Sequence, residues 1–190
     1  MIKVIFFDFD GTISDSRKIA YLSMVKVLDE NGYEFDEKKL LELMGSKMQV
    51  ILKDLNLKTK DLEIVRKKFY KYFIEATINN RAKPCVSLKL LWKLSKDYPL
   101  IVVSNSETSF LKTSIKKLKL KGLFKEIYGA EKFTKKDKML KELFKKFRIK
   151  PHEAIYIGDE NLDFLVAIKS KEELIGDIVA LLQYHRLILL

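Results

Sequence analysis

The chain has 190 residues, 47% hydrophobic and 33% charged, a length and balance that suit one folded domain or a domain with an insert and that exclude a disordered chain. Its 37 basic residues outnumber 26 acidic ones for a net charge of +11, yet only five of them are arginines, which reads as lysine enrichment rather than as a surface built to read nucleic-acid bases. No stretch approaches the roughly 18 apolar residues of a membrane helix, the apolar run Val4–Phe7 is too short for a signal peptide, and one cysteine with two histidines excludes an internal disulfide and a zinc site. The expectation is a cytoplasmic protein that does not enter membranes.

In chain order, Lys3–Phe7 is a short apolar run that predicts a buried strand ended by Asp8. Residues 16–30 put Ile19, Leu22, Val25 and Leu28 on one helical face, stopped by Asn31-Gly32. Two short helical patterns, 37–44 and 47–55, flank Gly45, and residues 61–78 form a long amphipathic helix. Its aromatics Phe69, Tyr70, Tyr72 and Phe73 read as packing residues rather than as a stacking platform. Residues 15–83 are thus a helical block without a strand signal, ended by Pro84.

Beyond Pro84, helical and strand patterns alternate. Leu88–Leu94 predicts a helix and Tyr98–Val103 a strand ended by Ser104-Asn105. Phe110, Leu111, Ile115 and Leu118 form the inward side of the next helix. Glu126–Tyr128 is a short strand, Met139 to Phe147 carry a helical apolar stripe, and Ala154–Ile157 is a strand ended by Gly158-Asp159. Such alternation predicts an α/β fold with a parallel sheet covered on both faces, where ligands collect at the carboxyl ends of strands. Residues 112–150 carry 15 basic and 4 acidic side chains. That band reads first as a solvated lysine face and secondly as a surface for anions or polynucleotides.

Chemically useful residues stand at three of the predicted strand ends. Asp8 and Asp10 are two apart, so alternation turns both to one side and Phe9 to the other. Adjacent carboxylates resist ionising together unless a cation lies between them or one keeps a proton. Asp159 and Asp163 form a second acidic pair, one helical turn apart. Hard oxygen ligands of this kind suit Mg²⁺, which takes one or two carboxylates and retains waters. Ser104 offers a hydroxyl where a helix begins, a favourable place for phosphate. Lys136, with Lys135 and Lys138 as rivals, could balance the acids. Gly45, Ser46 and Lys47 are either an ordinary turn between helices or substrate contacts, and the same choice holds for Arg81 and Lys83.

The segments DFDGT (8–12), VVSNS (102–106), KDKMLKEL (136–143) and YIGDENLD (156–163) resemble, in order and spacing, the four motifs of the haloacid dehalogenase-like superfamily. The resemblance spans most of residues 1–169 and is greatest to the phosphoglycolate phosphatase-like branch. It implies a Rossmann-like core over residues 1–14 and 84–190, with 15–83 inserted as an all-helical cap. It also implies roles. Asp8 would attack phosphorus and become an aspartyl-phosphate, and Asp10 would serve as general acid and then base. Ser104, Asn105 and Lys136 would hold the phosphoryl group. The Asp8 side chain, the Asp10 carbonyl and Asp159 would bind Mg²⁺, with Asp163 supporting the metal or the lysine. The implied reaction is Mg²⁺-dependent hydrolysis of a small phosphorylated metabolite. A phosphosugar mutase, a nucleic-acid end phosphatase using the 112–150 band, and an inactive regulatory or scaffold member are the alternatives, and Thr12 leans against the mutase. After Asp163 the chain departs from the family pattern: the small-residue turn before a last strand is missing, Asp177–Leu182 reads as a displaced strand or part of a helix, and the segment 170–190 reads as an altered tail.

Overall fold

The computed structural model describes residues 1–57, 61–79, 82–159 and the main chain of 179–182. Its centre is β1 (Val4–Phe7), a run of four buried apolar residues. A strand buried on both faces belongs in the middle of a parallel sheet, and that is its position. The sheet order is β5 (Glu126–Tyr128), β4 (Leu100–Val103), β1, β6 (Ala154–Gly158) and β7 (Val179–Leu182), with every pairing parallel. In register, Ile5 lies beside Leu100 on one flank and Ile155 on the other.

Alternation along the strands divides the core in two. Ile5, Phe7, Leu100 and Val102 face one cluster, shared with α6 (Thr108–Lys117) and the inserted helices. Val4, Phe6, Ile101, Val103, Ala154 and Tyr156 face the other, where Met139, Leu140, Leu143 and Phe144 of α7 (Lys136–Phe147) cover them.

Between β1 and β4 the chain makes β2 (Ser14–Asp15), α1 (Arg17–Glu30), α2 (Glu37–Leu43), α3 (Met48–Asp54), α4 (Leu62–Ile78), β3 (Lys83–Pro84) and α5 (Leu88–Asp97). Strands β2 and β3 pair antiparallel, Ser14 with Pro84 and Asp15 with Lys83, so the chain leaves and re-enters the core through one two-stranded neck. Two residues per strand are too few to leave a periodic trace, which is why the block 15–83 reads as purely helical. The neck is the correction.

The insert shares its packing with the core through aromatic rings. Phe9, just past β1, meets Phe110 of α6 edge-on at 6.4 Å, and Phe110 stacks on Phe73 of α4 at 3.9 Å. Phe69 and Tyr70 extend the row and Tyr72 donates its hydroxyl to Glu30; Phe69, Tyr70 and Phe73 pack as expected and also line a cavity.

The inward side of helix α1 overlaps the expected face, with Leu28 buried and Ile19 and Val25 partly buried against the core, but it is centred differently. Ala20, Met24, Val27 and Leu28 turn inward while Leu22 is 52% exposed. The helix packs on α4, whose long buried stripe of Val65, Phe69 and Phe73 sets the contact line. Helix α5 runs to Asp97, so its strand starts later than expected, at Leu100. In the tail, Val179–Leu182 is a strand beside β6. Of the two readings of that stretch, strand is the one found; the remainder of 160–190 lies outside the described residues.

Candidate active site

The carboxyl ends of β1, β4 and β6 lie side by side, because all three strands run the same way. The residues just past those ends, Asp8, Ser104 and Asp159, are therefore neighbours although up to about 150 positions separate them, and all three are buried. With Asp10, Asn105, Ser106, Arg17 and residues of the insert they line one cavity of about 770 Å³.

Each acid has its own partner. The ammonium of Lys136, the first residue of α7, lies 3.3 Å from Asp8 Oδ1, and both side chains are at most 10% exposed. The rivals Lys135 and Lys138 are exposed, so burial selects Lys136. Asp10 accepts two hydroxyl hydrogen bonds, from Ser16 to Oδ1 and from Ser106 to Oδ2, each 2.5 Å. Burial pushes the Asp10 carboxyl above its ordinary range; the two serines and the Lys136 charge pull it back, and the Asp159 charge adds to the rise. Asp159 accepts from the Thr12 hydroxyl at 2.9 Å on Oδ1 and pairs with Arg17 Nη2 at 2.7 Å on Oδ2.

Gly11 makes this approach possible. Its φ is +83°, and a Cβ there would stand 2.0 Å from Asp159 Oδ2 and 2.5 Å from Arg17 Nε. Only glycine lets the turn after β1 run this close to the β6 acid.

The Ser104 hydroxyl accepts the Ser106 amide at 3.1 Å, in the turn that leads to α6. Asn105 turns its amide to the carbonyl of Gly45 at 2.9 Å, bridging the core to the loop between α2 and α3. From that loop Gly45 and Ser46 line the cavity, whereas Lys47 crosses to the carbonyls of Ala130 and Phe133 and lies 4.0 Å from the Phe133 ring centre. Its desolvation there lowers the Lys47 pKa. Arg66 of α4 pairs with Glu107 at the start of α6. Lys83 is exposed in β3. Asp163 and Arg81 lie outside the described residues.

Four residues with direct polar contacts to the acids were not among the expected site residues: Thr12, Ser16, Arg17 and Ser106. Ser106 carries a faint signal, standing two positions after Ser104. Arg17 and Ser16 carry none, because their place at the neck depends on the unpredicted β2–β3 pair.

Among the described residues, no group of three or more His, Cys, Asp or Glu side chains is arranged to hold a metal ion. A smaller donor set fits a hard cation. Asp8 and Asp159 supply carboxylate oxygens to the cavity, no histidine or cysteine lines it among the described residues, and Asp159 already draws a cationic group, the guanidinium. Two carboxylates with waters suffice for Mg²⁺.

A family model described as haloacid dehalogenase-like hydrolase matches residues 5–176. The chain is 30% identical over 167 residues to a phosphoglycolate phosphatase of Aquifex aeolicus, covering 85% of this chain and 78% of that protein. A haloacid dehalogenase-like hydrolase from Streptococcus pneumoniae superposes with a TM-score of 0.75 at 25% identity, over 95% of this chain and 84% of that one. A shorter match, 58% identical over 53 residues, is to the large ribosomal subunit protein uL10 of Christiangramia forsetii, covering 24% of this chain and 30% of that protein. No helix among the described residues is long and apolar enough to cross a membrane.

Proposed function

We propose a mechanism and a substrate class for a chain that belongs to the haloacid dehalogenase-like hydrolases and is a phosphatase related to phosphoglycolate phosphatases: it hydrolyses small phosphate monoesters through an aspartyl-phosphate on Asp8. The observation that carries the reading is the separation of partners among the acids. Asp8 stands beside a buried lysine, and Asp10 is held by two hydroxyls in the same cavity.

In the first step an Asp8 oxygen attacks phosphorus and the bond from phosphorus to the ester oxygen breaks. Asp10 gives its proton to that departing oxygen, so an alcohol leaves. In the second step Asp10, now a carboxylate, takes a proton from water. The resulting hydroxide attacks the same phosphorus, the bond to Asp8 breaks, and inorganic phosphate departs with Asp8 restored. Burial of Asp10, which favours its protonated form, suits it to the first donation.

Lys136 and the Ser104 hydroxyl hold the phosphoryl oxygens, and Lys136 offsets charge on both Asp8 and phosphate. Asn105 joins them at the mouth, where its amide also holds the insert loop. Mg²⁺ would be held by the Asp8 side chain, the Asp10 carbonyl and Asp159, with Asp163 in a supporting role, and when bound it would neutralise phosphoryl charge. Residues 15–83 act as the cap, closing the cavity through Gly45 and Ser46 and limiting it to small esters. The substrate class is a small phosphorylated metabolite such as a phosphorylated hydroxy acid or sugar, and the catalysis belongs in the cytoplasm.

The test is phosphate release across a panel of small monoesters with a Mg²⁺ titration. Steady turnover, abolished by EDTA and by Asp8→Asn, is expected. No turnover by the Mg²⁺-supplied wild type across the panel would overturn the reading.

A further inference from the structure

The first residue of α1 has no role in the reaction just described, yet its side chain enters the site. Arg17 Nη2 is 2.7 Å from Asp159 Oδ2; the Arg17 side chain is 40% exposed and the residue helps to line the cavity, while the Asp159 side chain is 5% exposed. The other Asp159 oxygen is taken by Thr12. The guanidinium lies along Gly11, where a Cβ would meet both Arg17 Nε and Asp159 Oδ2. A positive charge is thus seated on Asp159 Oδ2, beside the residue to which the proposed function gives a divalent cation.

We propose that Arg17 is an internal competitor for that cation: guanidinium and metal ion exclude each other at Asp159 Oδ2, and loading the site displaces Arg17 into the cavity. The inference rests on the cation role of Asp159. Two cations held on one carboxylate oxygen repel each other and crowd the same lone pairs, so each weakens the hold of the other. Asp159 is buried, so leaving it without a cation is costly, and the arginine supplies one until metal arrives.

The test is direct metal binding, by calorimetric Mg²⁺ titration and by Mn²⁺ spin resonance, on wild type, Arg17→Gln, Arg17→Lys and Asp159→Asn. Arg17→Gln is expected to bind Mg²⁺ about three- to tenfold more tightly, the range set by removing one partly exposed ion pair. Arg17→Lys should stay near wild type, and Asp159→Asn should bind weakly whatever stands at 17. Thermal unfolding gives a second readout. Without metal, Arg17→Gln should melt below wild type, and Mg²⁺ should raise its melting temperature more than it raises that of wild type. Equal or weaker Mg²⁺ binding by Arg17→Gln would overturn the competition. If phosphate release still depended on Mg²⁺ in that case, the proposed function would stand without it; if no variant bound metal at all, both would fall.

Discussion

At the scale of single residues, the site is a set of paired charges rather than a row of acids. Lys136 is the counter-charge of Asp8, so its loss should act on the reacting centre more than on binding. Lys136→Ala is expected to lower kcat by about 10²–10³, the range seen when one donor to developing charge is removed. Lys135→Ala and Lys138→Ala should remain near wild type, since both side chains are exposed. Steady-state kinetics on the three variants check this, and equal losses in all three would remove Lys136 from its role. The acids and Ser104 were legible from position at predicted strand ends. Among the lysines, residue type alone leaves Lys135 and Lys138 as rivals; the motif resemblance names Lys136, and it is the one the fold buries beside Asp8.

At the scale of elements, the joint between the insert and the sheet is aromatic, and an ion pair stands just before the paired strands β1 and β6. Phe110 is fully buried between Phe9 and Phe73. Phe110→Ala should cost about 3–5 kcal/mol, the usual range for a buried phenylalanine, and lower Tm on the order of 10 °C, read by thermal unfolding. Glu153, in the 3₁₀ turn Pro151–Glu153 before β6, accepts the Lys150 amide at 2.9 Å and pairs with Lys3 at 2.6 Å. The amide first, and Lys3 next, hold its carboxyl down from 4.5 to about 2. A depressed carboxyl favours the fold while ionised, so this contribution is present above 4.5 and disappears as pH falls toward about 2. Glu153→Gln should therefore be less stable than wild type at neutral pH, with the gap closing through that acid window, as denaturant melts across pH would show. The strands and most helices were legible because apolar runs and 3.6-residue spacing are local properties. The two-residue neck and the outward turn of Leu22 on α1 were not, because distant partners define both.

At the scale of the whole molecule, the net charge of +11 favours anionic substrates at long range, whereas the cavity wall carries both signs, Arg17 and Lys18 with Asp8, Asp10, Glu42 and Asp159. For a small phosphate ester, kcat/KM should fall as ionic strength rises, with kcat unchanged, because screening shortens the reach of the field from about 30 Å at 0.01 M salt to about 8 Å at 0.15 M. A salt-independent kcat/KM would show that the lysine excess has no part in capture. The basic band 112–150 is spread over α6, β5 and α7 and several of its lysines are occupied locally, Lys146 with Glu126 and Lys132 with the Ile127 carbonyl. It reads as a solvated face, the first of its two expectations.

By itself, the sequence determined the alternation of strands and helices, the helical insert, and the acids at the strand ends. Each is written in run length, period or spacing over a few residues, where neighbours in the chain decide the outcome. Only the tertiary structure decided that Thr12 and Arg17 divide the two oxygens of Asp159, that Ser16 and Ser106 divide those of Asp10, and that Lys47 ties the insert to the loop before Lys136. Most of those contacts join positions from about 80 to about 150 residues apart, and their partners are selected by which elements pack together and which side chains that packing removes from water.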